Sequence, residues 1–269
     1  AFRELFRRTI TVWGDENHAT LARLRIGIIG LGSVGSIVAE SLARMGLQNF
    51  VLLDFDEVQP HNLDRLLGAT INDIGKSKIE IAEREILKSA TAAAVKIQKV
   101  PFSIAERSGY QAALDCDVLF SCVDRPRPRH ILNHFAYSHL IPVIDGGIAV
   151  RFKRGEFSGA DWQLQTVGPT RPCLDCLGVF NMGDVSTEIE GKLDDPSYLQ
   201  GLPNEHRLKR NENVFPFSTN LASLEVLQLV ALVTGIAGIT DFGIQRFRYI
   251  PGILDADTER ICKDNCEFV

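Results

Sequence analysis

The sequence predicts an α/β fold: a mainly parallel sheet with helices on both faces, then antiparallel strands towards the C-terminus. Three observations predict it. Short, almost continuous apolar runs alternate with helical segments from Leu24 to about Val150, the pattern of strands buried on both faces. A glycine-rich turn joins the first run to the first helical segment. After Gly155 the texture changes, and Trp162–Val167 reads as an antiparallel strand.

Residues 1–20 read as an arm, with Arg3, Arg7 and Arg8 among Phe2, Leu5 and Phe6 at helical spacing. Such a face docks on its own core or on a partner subunit. Residues 21–269 form the domain. Arg25–Gly30 is an apolar strand entering glycines, and Ser36–Met45 is a helix stopped by Gly46. Phe50–Asp54 is a second buried strand, and Ser77–Ala90 is a charged amphipathic helix. Val95–Val100 and Asp117–Cys122 are further strands. A helix from about Pro128 to His139 leads into the strand Ile141–Asp145. Asn181–Phe215 is long, polar and irregular, and a loop of that length in a compact domain is usually functional or mobile. Leu221–Gly235 is an apolar helix, and Phe247–Ile250 and Ile253–Leu254 are strands.

Composition narrows the function classes. The chain has 269 residues, 45% apolar and 23% charged, which excludes disorder and collagen-like structure. A formal net charge of -5 argues against nonspecific nucleic-acid binding. The N-terminus lacks the long apolar stretch of a secretory signal. The longest apolar run, Leu221–Ile239, contains Glu225 and Gln228 and reads as a buried core helix rather than a membrane span. A cytoplasmic, reducing setting is therefore expected.

Gly30, Gly32 and Gly35 form a G-x-G-x-x-G between a strand and a helix. Glycines let the backbone turn and approach phosphates, and a helix N-terminus attracts anions. Asp54 lies 19 residues beyond Gly35, where a carboxylate accepts ribose hydroxyls. This set fits a dinucleotide or ATP. The next segment favours ATP. Asp54-Phe55-Asp56-Glu57-Val58 leads into Asn62-Leu63-Asp64-Arg65, and Lys78 follows. Cations gathered there suit charge developing on phosphorus, which hydride transfer does not need. Asp124 ends a strand, where a carboxylate holds Mg²⁺ between phosphates or caps the following helix.

The six cysteines are too few for a disulfide scaffold. Cys173 and Cys176 form one close pair, and Cys262 and Cys266 another. Two such pairs suit a closed, structural four-thiolate Zn²⁺ site that pins the C-terminus. Cys116 and Cys122 read as packed small hydrophobes.

Taken together, Gly30–Gly35, Leu53–Val58, Asn62–Arg65, Lys78 and Cys122-Val123-Asp124 resemble the ThiF/MoeB/HesA family of ubiquitin-activating-enzyme-like adenylyltransferases. The resemblance implies a Rossmann-like fold and ATP- and Mg²⁺-dependent adenylation of the C-terminal carboxylate of a ubiquitin-like or sulfur-carrier-like protein. It implies that Asp54 holds the ribose, with Asp56 nearby. Asn62, Arg65 and Lys78 bind phosphates, and Asp124 coordinates Mg²⁺. The four paired cysteines match the family's zinc site, although the second pair has three intervening residues where the family usually has two. Arg8 resembles the N-terminal arginine that reaches the partner subunit's ATP site, which implies a homodimer. The family's crossover loop corresponds to residues 180–216. Members that form a thioester use a cysteine there, and this chain has none. The activated carboxylate would then pass to another thiol or amine, for example on a downstream conjugating enzyme.

Two departures stand out. Arg125 occupies the position of a usual Asn, and Leu66 that of a usual Gln. Arg125 opens the basic run Arg125-Pro126-Arg127-Pro128-Arg129, which reads as a solvated helix entrance slightly ahead of a contact with phosphate or an acidic partner. Three competing readings remain: adenylation of a peptide or RNA-linked carboxylate, an inactive partner subunit, and an NAD-dependent oxidoreductase. Pyrophosphate exchange separates the first from the second, and binding of a reduced nicotinamide selects the third.

Overall fold

The computed structural model describes residues 2–201 and 212–268. The arm consists of α1 (Phe2–Leu5), α2 (Arg7–Trp13) and α3 (Asp15–Arg23). The parallel part follows as β1 (Arg25–Ile29), α4 (Ser33–Arg44), β2 (Asn49–Leu53), α5 (Lys78–Ser89) and β3 (Lys96–Val100). It continues with α6 (Arg107–Ala113), β4 (Val118–Ser121), α7 (Pro126–Ser138) and β5 (Val143–Lys153). Then come β6 (Glu156–Val167), α8 (Met182–Ile189), α9 (Pro196–Gly201), α10 (Phe215–Thr234), β7 (Ile244–Arg248) and β8 (Ile253–Asp257).

All eight strands form one sheet in the order β3-β2-β1-β4-β5-β6-β7-β8. Strands β1 to β5 pair in parallel, and β6, β7 and β8 extend the same sheet antiparallel. Successive strand residues point to opposite faces. Ile26 and Ile28 of β1 therefore pack with Leu52, Phe120 and Ile144 under α3, α4, α5 and α10. Ile29, Val51 and Leu119 face the other way, towards α6, α7 and α8. Both faces are covered, which is why the central residues of β1, β2 and β4 are apolar.

Local chemistry sets the helices. Ser77 caps α5 by accepting the Ile79 N–H at 3.2 Å. Asn181 caps α8 by accepting the Asp184 N–H at 2.8 Å. Helix α10 ends at Gly235, whose φ of +56° lies in the left-handed region glycine favours. It is the one described helix long and apolar enough to cross a membrane. It packs on α3, α4, β5 and β6, with Leu221, Glu225, Gln228 and Leu229 buried.

Several expectations are corrected. The helix expected from Leu221 starts at Phe215, with Pro216 in its first turn. The strand expected to end at Asp145 runs on to Lys153, paired with β6 in a long hairpin. The stretch expected to be irregular from Asn181 holds α8, α9 and a short 3-10 turn at Lys192–Asp194. The rest of that crossover segment, 202–211, lies outside the described residues. Helix α6 had no sequence reading at all. The arm docks on its own core through Phe6, only 4% exposed. Phe6 packs on Gly46, where a Cβ would come within 2.6 Å of the ring. Burying that side chain is worth roughly 1.5–3 kcal/mol.

Candidate functional site

Strands β1 and β4 are neighbours, but the chain runs from β1 to β2 on one side and from β4 to β5 on the other. The crevice at their C-terminal ends is the topological switch point, where open α/β sheets bind ligands. The glycine turn enters it from β1, and Asp124 enters it from β4.

The turn is built by close contact. Gly30 has a φ of +90°, and a Cβ there would meet the Cys122 carbonyl oxygen at 2.6 Å. A Cβ on Gly35 would meet the Gly30 carbonyl oxygen at 2.0 Å. Gly32 is different: nothing lies within 4 Å of its Cβ position, and it starts α4 without a side-chain cap. Gly32 therefore leaves open space at the start of α4, where the first N–H groups of a helix lack intrahelical partners and attract anions.

Asp54 ties this turn to β2. Its Oδ2 accepts the Leu31 N–H at 2.6 Å, and its Oδ1 accepts the Asp56 N–H at 2.8 Å. Burial pushes its carboxyl above the ordinary value, opposed by the Lys78 charge and the two N–H donors. Each oxygen retains a second lone pair for a ribose hydroxyl. Asp56 in turn holds the Lys78 ammonium at 2.7 Å.

Between them runs the segment 57–78. The Asn62 Oδ1 accepts the Gln59 N–H at 2.9 Å, so the amide nitrogen is left to donate. The Arg65 guanidinium bonds the Asp64 carboxylate at 2.9 Å and lines a cleft of about 570 Å³ with His61, Phe152, Phe157, Asn213 and Phe217. Asp73 anchors the segment from below, holding Arg84 and Lys76 at 2.9 Å each and Thr70 Oγ1 at 2.8 Å. These bonds, led by Arg84, hold its carboxyl well below the usual range. Leu66 points into a small core with Val58 and Ile81. The departure at that position is a packing residue.

Asp124 is exposed and has no hydrogen-bond partner among the described residues. It does not cap α7, whose N-cap is Arg125. An exposed carboxylate without a hydrogen bond is a donor that a hard cation such as Mg²⁺ takes.

The solvated reading of the basic run fails at Arg129, while the Arg125 side chain remains 43% exposed. Pro126 and Pro128 have no N–H, and the remaining orphan donor of Arg127 is capped by Glu188 of α8 at 2.8 Å. Arg125 pairs with Asp194 at 2.8 Å. Arg129 is largely buried and bonds two backbone carbonyls, Val123 at 3.1 Å and Gly146 at 2.9 Å.

Two residues beneath the crevice had no role in the sequence reading. Asp145 is fully buried, and Glu225 is fully buried with one oxygen unpartnered. Burial pushes both carboxyls up, Glu225 furthest. Gly146 makes room for Glu225: a Cβ there would meet the Glu225 Oε1 at 2.1 Å.

At the far end, the four sulfurs of Cys173, Cys176, Cys262 and Cys266 lie within 4.8 Å of one another. A tetrahedral four-thiolate Zn²⁺ site has sulfurs ~3.8 Å apart, so the cluster fits such an ion with slight contraction. The Cys173 N–H points at the Cys262 sulfur at 3.2 Å, and the Lys263 N–H at the Cys176 sulfur at 3.4 Å. Asn133 of α7 fixes the knuckle by accepting the Leu174 N–H at 2.8 Å. Arg8 lies on the exposed side of α2, and no bond to the crevice residues reaches it among the described residues.

Comparisons with known proteins agree with this geometry. tRNA threonylcarbamoyladenosine dehydratase 2 of Saccharomyces cerevisiae is 28% identical over 75% of this chain and 42% of its own length. The molybdopterin-synthase adenylyltransferase of Escherichia coli is 28% identical over 65% of this chain and 66% of its own. The chain spans about half the length of the first curated relatives it matches. The crystal structure of E. coli MccB with ATP shares the fold, with a TM-score of 0.71 and 17% identity over 98% of this chain and 74% of that one. The ThiF family itself matches residues 6–253, so the chain belongs to the ThiF family.

Proposed function

We infer that this chain adenylates the C-terminal carboxylate of a small ubiquitin-like or sulfur-carrier-like protein, using ATP and Mg²⁺. The observation that carries the reading is the tight glycine turn tied to β2 by Asp54, with Asp56 beside it holding the Lys78 ammonium. Family membership supports adenylation, as does the likeness to the E. coli molybdopterin-synthase adenylyltransferase. It leaves the oxidoreductase reading without support.

A carboxylate oxygen attacks the α-phosphorus, the bond from that phosphorus to the bridging oxygen breaks, and pyrophosphate leaves. No general base is needed, because a carboxylate is ionised near pH 7. Asp54 accepts the ribose hydroxyls and keeps the turn in register. Lys78, oriented by Asp56, and Arg65 meet charge developing on the phosphates. Asp124 would hold Mg²⁺, which neutralises charge on the leaving phosphates. Zn²⁺ in the cysteine cluster would be structural, with no open position.

The test is ATP–pyrophosphate exchange with ubiquitin-like proteins ending in glycine. Lys78→Ala is expected to abolish exchange with an unchanged circular dichroism spectrum. Normal exchange by that variant overturns the assignment. Mass spectrometry of the reaction is expected to find no acyl group on any cysteine of this chain. ATP binding without exchange by the unaltered protein would select the inactive-partner reading.

A second reading is an RNA-linked carboxylate, favoured by the relative that acts in the dehydration of tRNA threonylcarbamoyladenosine. The acidic balance of this chain weighs against it. Exchange supported by a carboxylate-bearing tRNA, and by no protein, would select it.

A further inference from the structure

We propose that Arg129 is a positioning residue that aims Asp124 by clamping the peptide immediately before it. The inference rests on the reading above in which Asp124 holds Mg²⁺.

Strand β4 ends at Ser121, and the Cys122 N–H still bonds the Ile29 carbonyl of β1 at 2.9 Å. Beyond that point the chain leaves the sheet. The Asp124 carboxylate has no hydrogen-bond partner among the described residues, so the backbone sets the direction in which its side chain leaves the chain. The peptide plane that carries the Asp124 nitrogen also carries the Val123 carbonyl oxygen. Arg129 Nε donates to that oxygen at 3.1 Å. Its Nη2 donates to the Gly146 carbonyl of β5 at 2.9 Å. One planar guanidinium therefore bolts the exit of β4 to β5.

The guanidinium is itself oriented. Asp145 Oδ1 lies 3.5 Å from Nε. That carboxylate accepts the Ser121 hydroxyl at 2.6 Å and the Gln165 amide at 2.8 Å. The backbone makes room: a Cβ on Gly147 would come within 2.8 Å of the Arg129 Nη2. A lysine cannot reproduce this arrangement, because its ammonium is a point donor without the planar fork.

Calorimetric binding of α,β-methylene-ATP, with and without Mg²⁺, tests this alongside the melting temperature. Arg129→Lys keeps a charge near Asp145 but loses the double clamp. It is expected to lose roughly 10–100-fold of the affinity that depends on Mg²⁺, with metal-free binding within about twofold of the unaltered protein. A merely structural role would weaken metal-free binding equally and lower the melting temperature with it, which overturns the proposal. A full Mg²⁺ gain in Arg129→Lys, while Asp124→Ala loses it, also overturns the proposal and leaves the metal reading standing. A full gain in Asp124→Ala overturns the metal reading, and the proposal with it. Should Arg129→Lys fail to fold, Asp145→Asn keeps the shape of the network and is expected to lose the Mg²⁺ gain in part; an unchanged gain there overturns the proposal.

Discussion

Gly32 and Gly35 separate binding from folding at single positions. Gly32 has an ordinary φ of -71° and open space at its Cβ position, whereas a Cβ on Gly35 meets backbone at 2.0 Å. Gly32→Ala is therefore expected to melt within about 2 °C of the unaltered protein, since a sterically free change costs little, yet to lose ATP affinity because a methyl group occupies the cradle. Gly35→Ala is expected to cost about 1–3 kcal/mol through overpacking against a backbone that cannot move aside. Thermal melts with and without ATP distinguish the two, and equal melting temperatures would refute the contrast. Glu225 carries a pH prediction. Its carboxyl is raised well above 4.5 by burial, by the neighbouring Asp145 charge, and against the pull of Arg129. A raised carboxyl contributes stability that is complete below the unfolded value and is lost as pH climbs through the folded one. Glu225→Gln removes that dependence. It is expected to melt roughly 2–4 °C higher than the unaltered protein at pH 8, the shift ~1 kcal/mol produces at this size. The difference should shrink at pH 5. Melts across this range check it, and a constant offset would mean that Glu225 does not titrate there.

The cysteine clip is the element whose removal should have the most local effect. Among the described residues, strand β8 is an edge strand paired with β7 alone, and its Ile253 and Leu254 are about half exposed. Little apolar burial holds it, so the tail depends on the Cys173 knuckle. Beyond the sulfurs, the tail has Phe268 stacked on Tyr137 at 4.6 Å and edge-on to His134 at 5.0 Å, and Glu267 near His134 at 3.6 Å. Cys262→Ser with Cys266→Ser, or a strong chelator, is expected to release bound zinc and open the chain after Asp257 to protease. The melting temperature should fall by at least about 5 °C. Nucleotide binding at the other end of the sheet should survive. Metal analysis and limited proteolysis read this directly, and an unchanged cleavage pattern would sink the clip. Strands β1, β2, β4 and the start of β5 were legible in the sequence because burial on both faces makes most of their residues apolar. The glycine turn, Asp54 and the cysteine pairs were legible because their chemistry is local in sequence. Helix α8 was not, since its stability comes from packing Val185 on α7 and from Glu188 capping Arg127. The outer part of the β5–β6 hairpin was missed because its half-exposed residues alternate weakly. Arg129 was misread because a buried arginine bonded to carbonyls has the same local sequence as a solvated one.

At the scale of the whole molecule, the arm and the crevice lie at opposite ends of α4. Phe6 packs on Gly46, just past the end of α4, and the glycine turn is at its start. The 12 residues of α4 make that ~18 Å. Arg8 follows Phe6 by two positions, and no arginine side chain bridges such a distance to the cradle of its own chain. If Arg8 contributes to adenylation, it does so in a partner's crevice, as the family resemblance implies. Complementation tests this without any structure of the dimer. Arg8→Ala and Lys78→Ala are each expected to be inactive alone. In an equal mixture with free subunit exchange, half of the dimers are mixed. Each mixed dimer has one crevice with both its own Lys78 and a partner's Arg8, so about a quarter of all sites recover in a closed two-fold dimer. Exchange activity near a quarter of the unaltered level, appearing at the rate of subunit exchange, is the expected result. Mixed dimers detected by mass but devoid of activity would confine Arg8 to a role within its own chain, where its exposed position on α2 offers no contact with the phosphates.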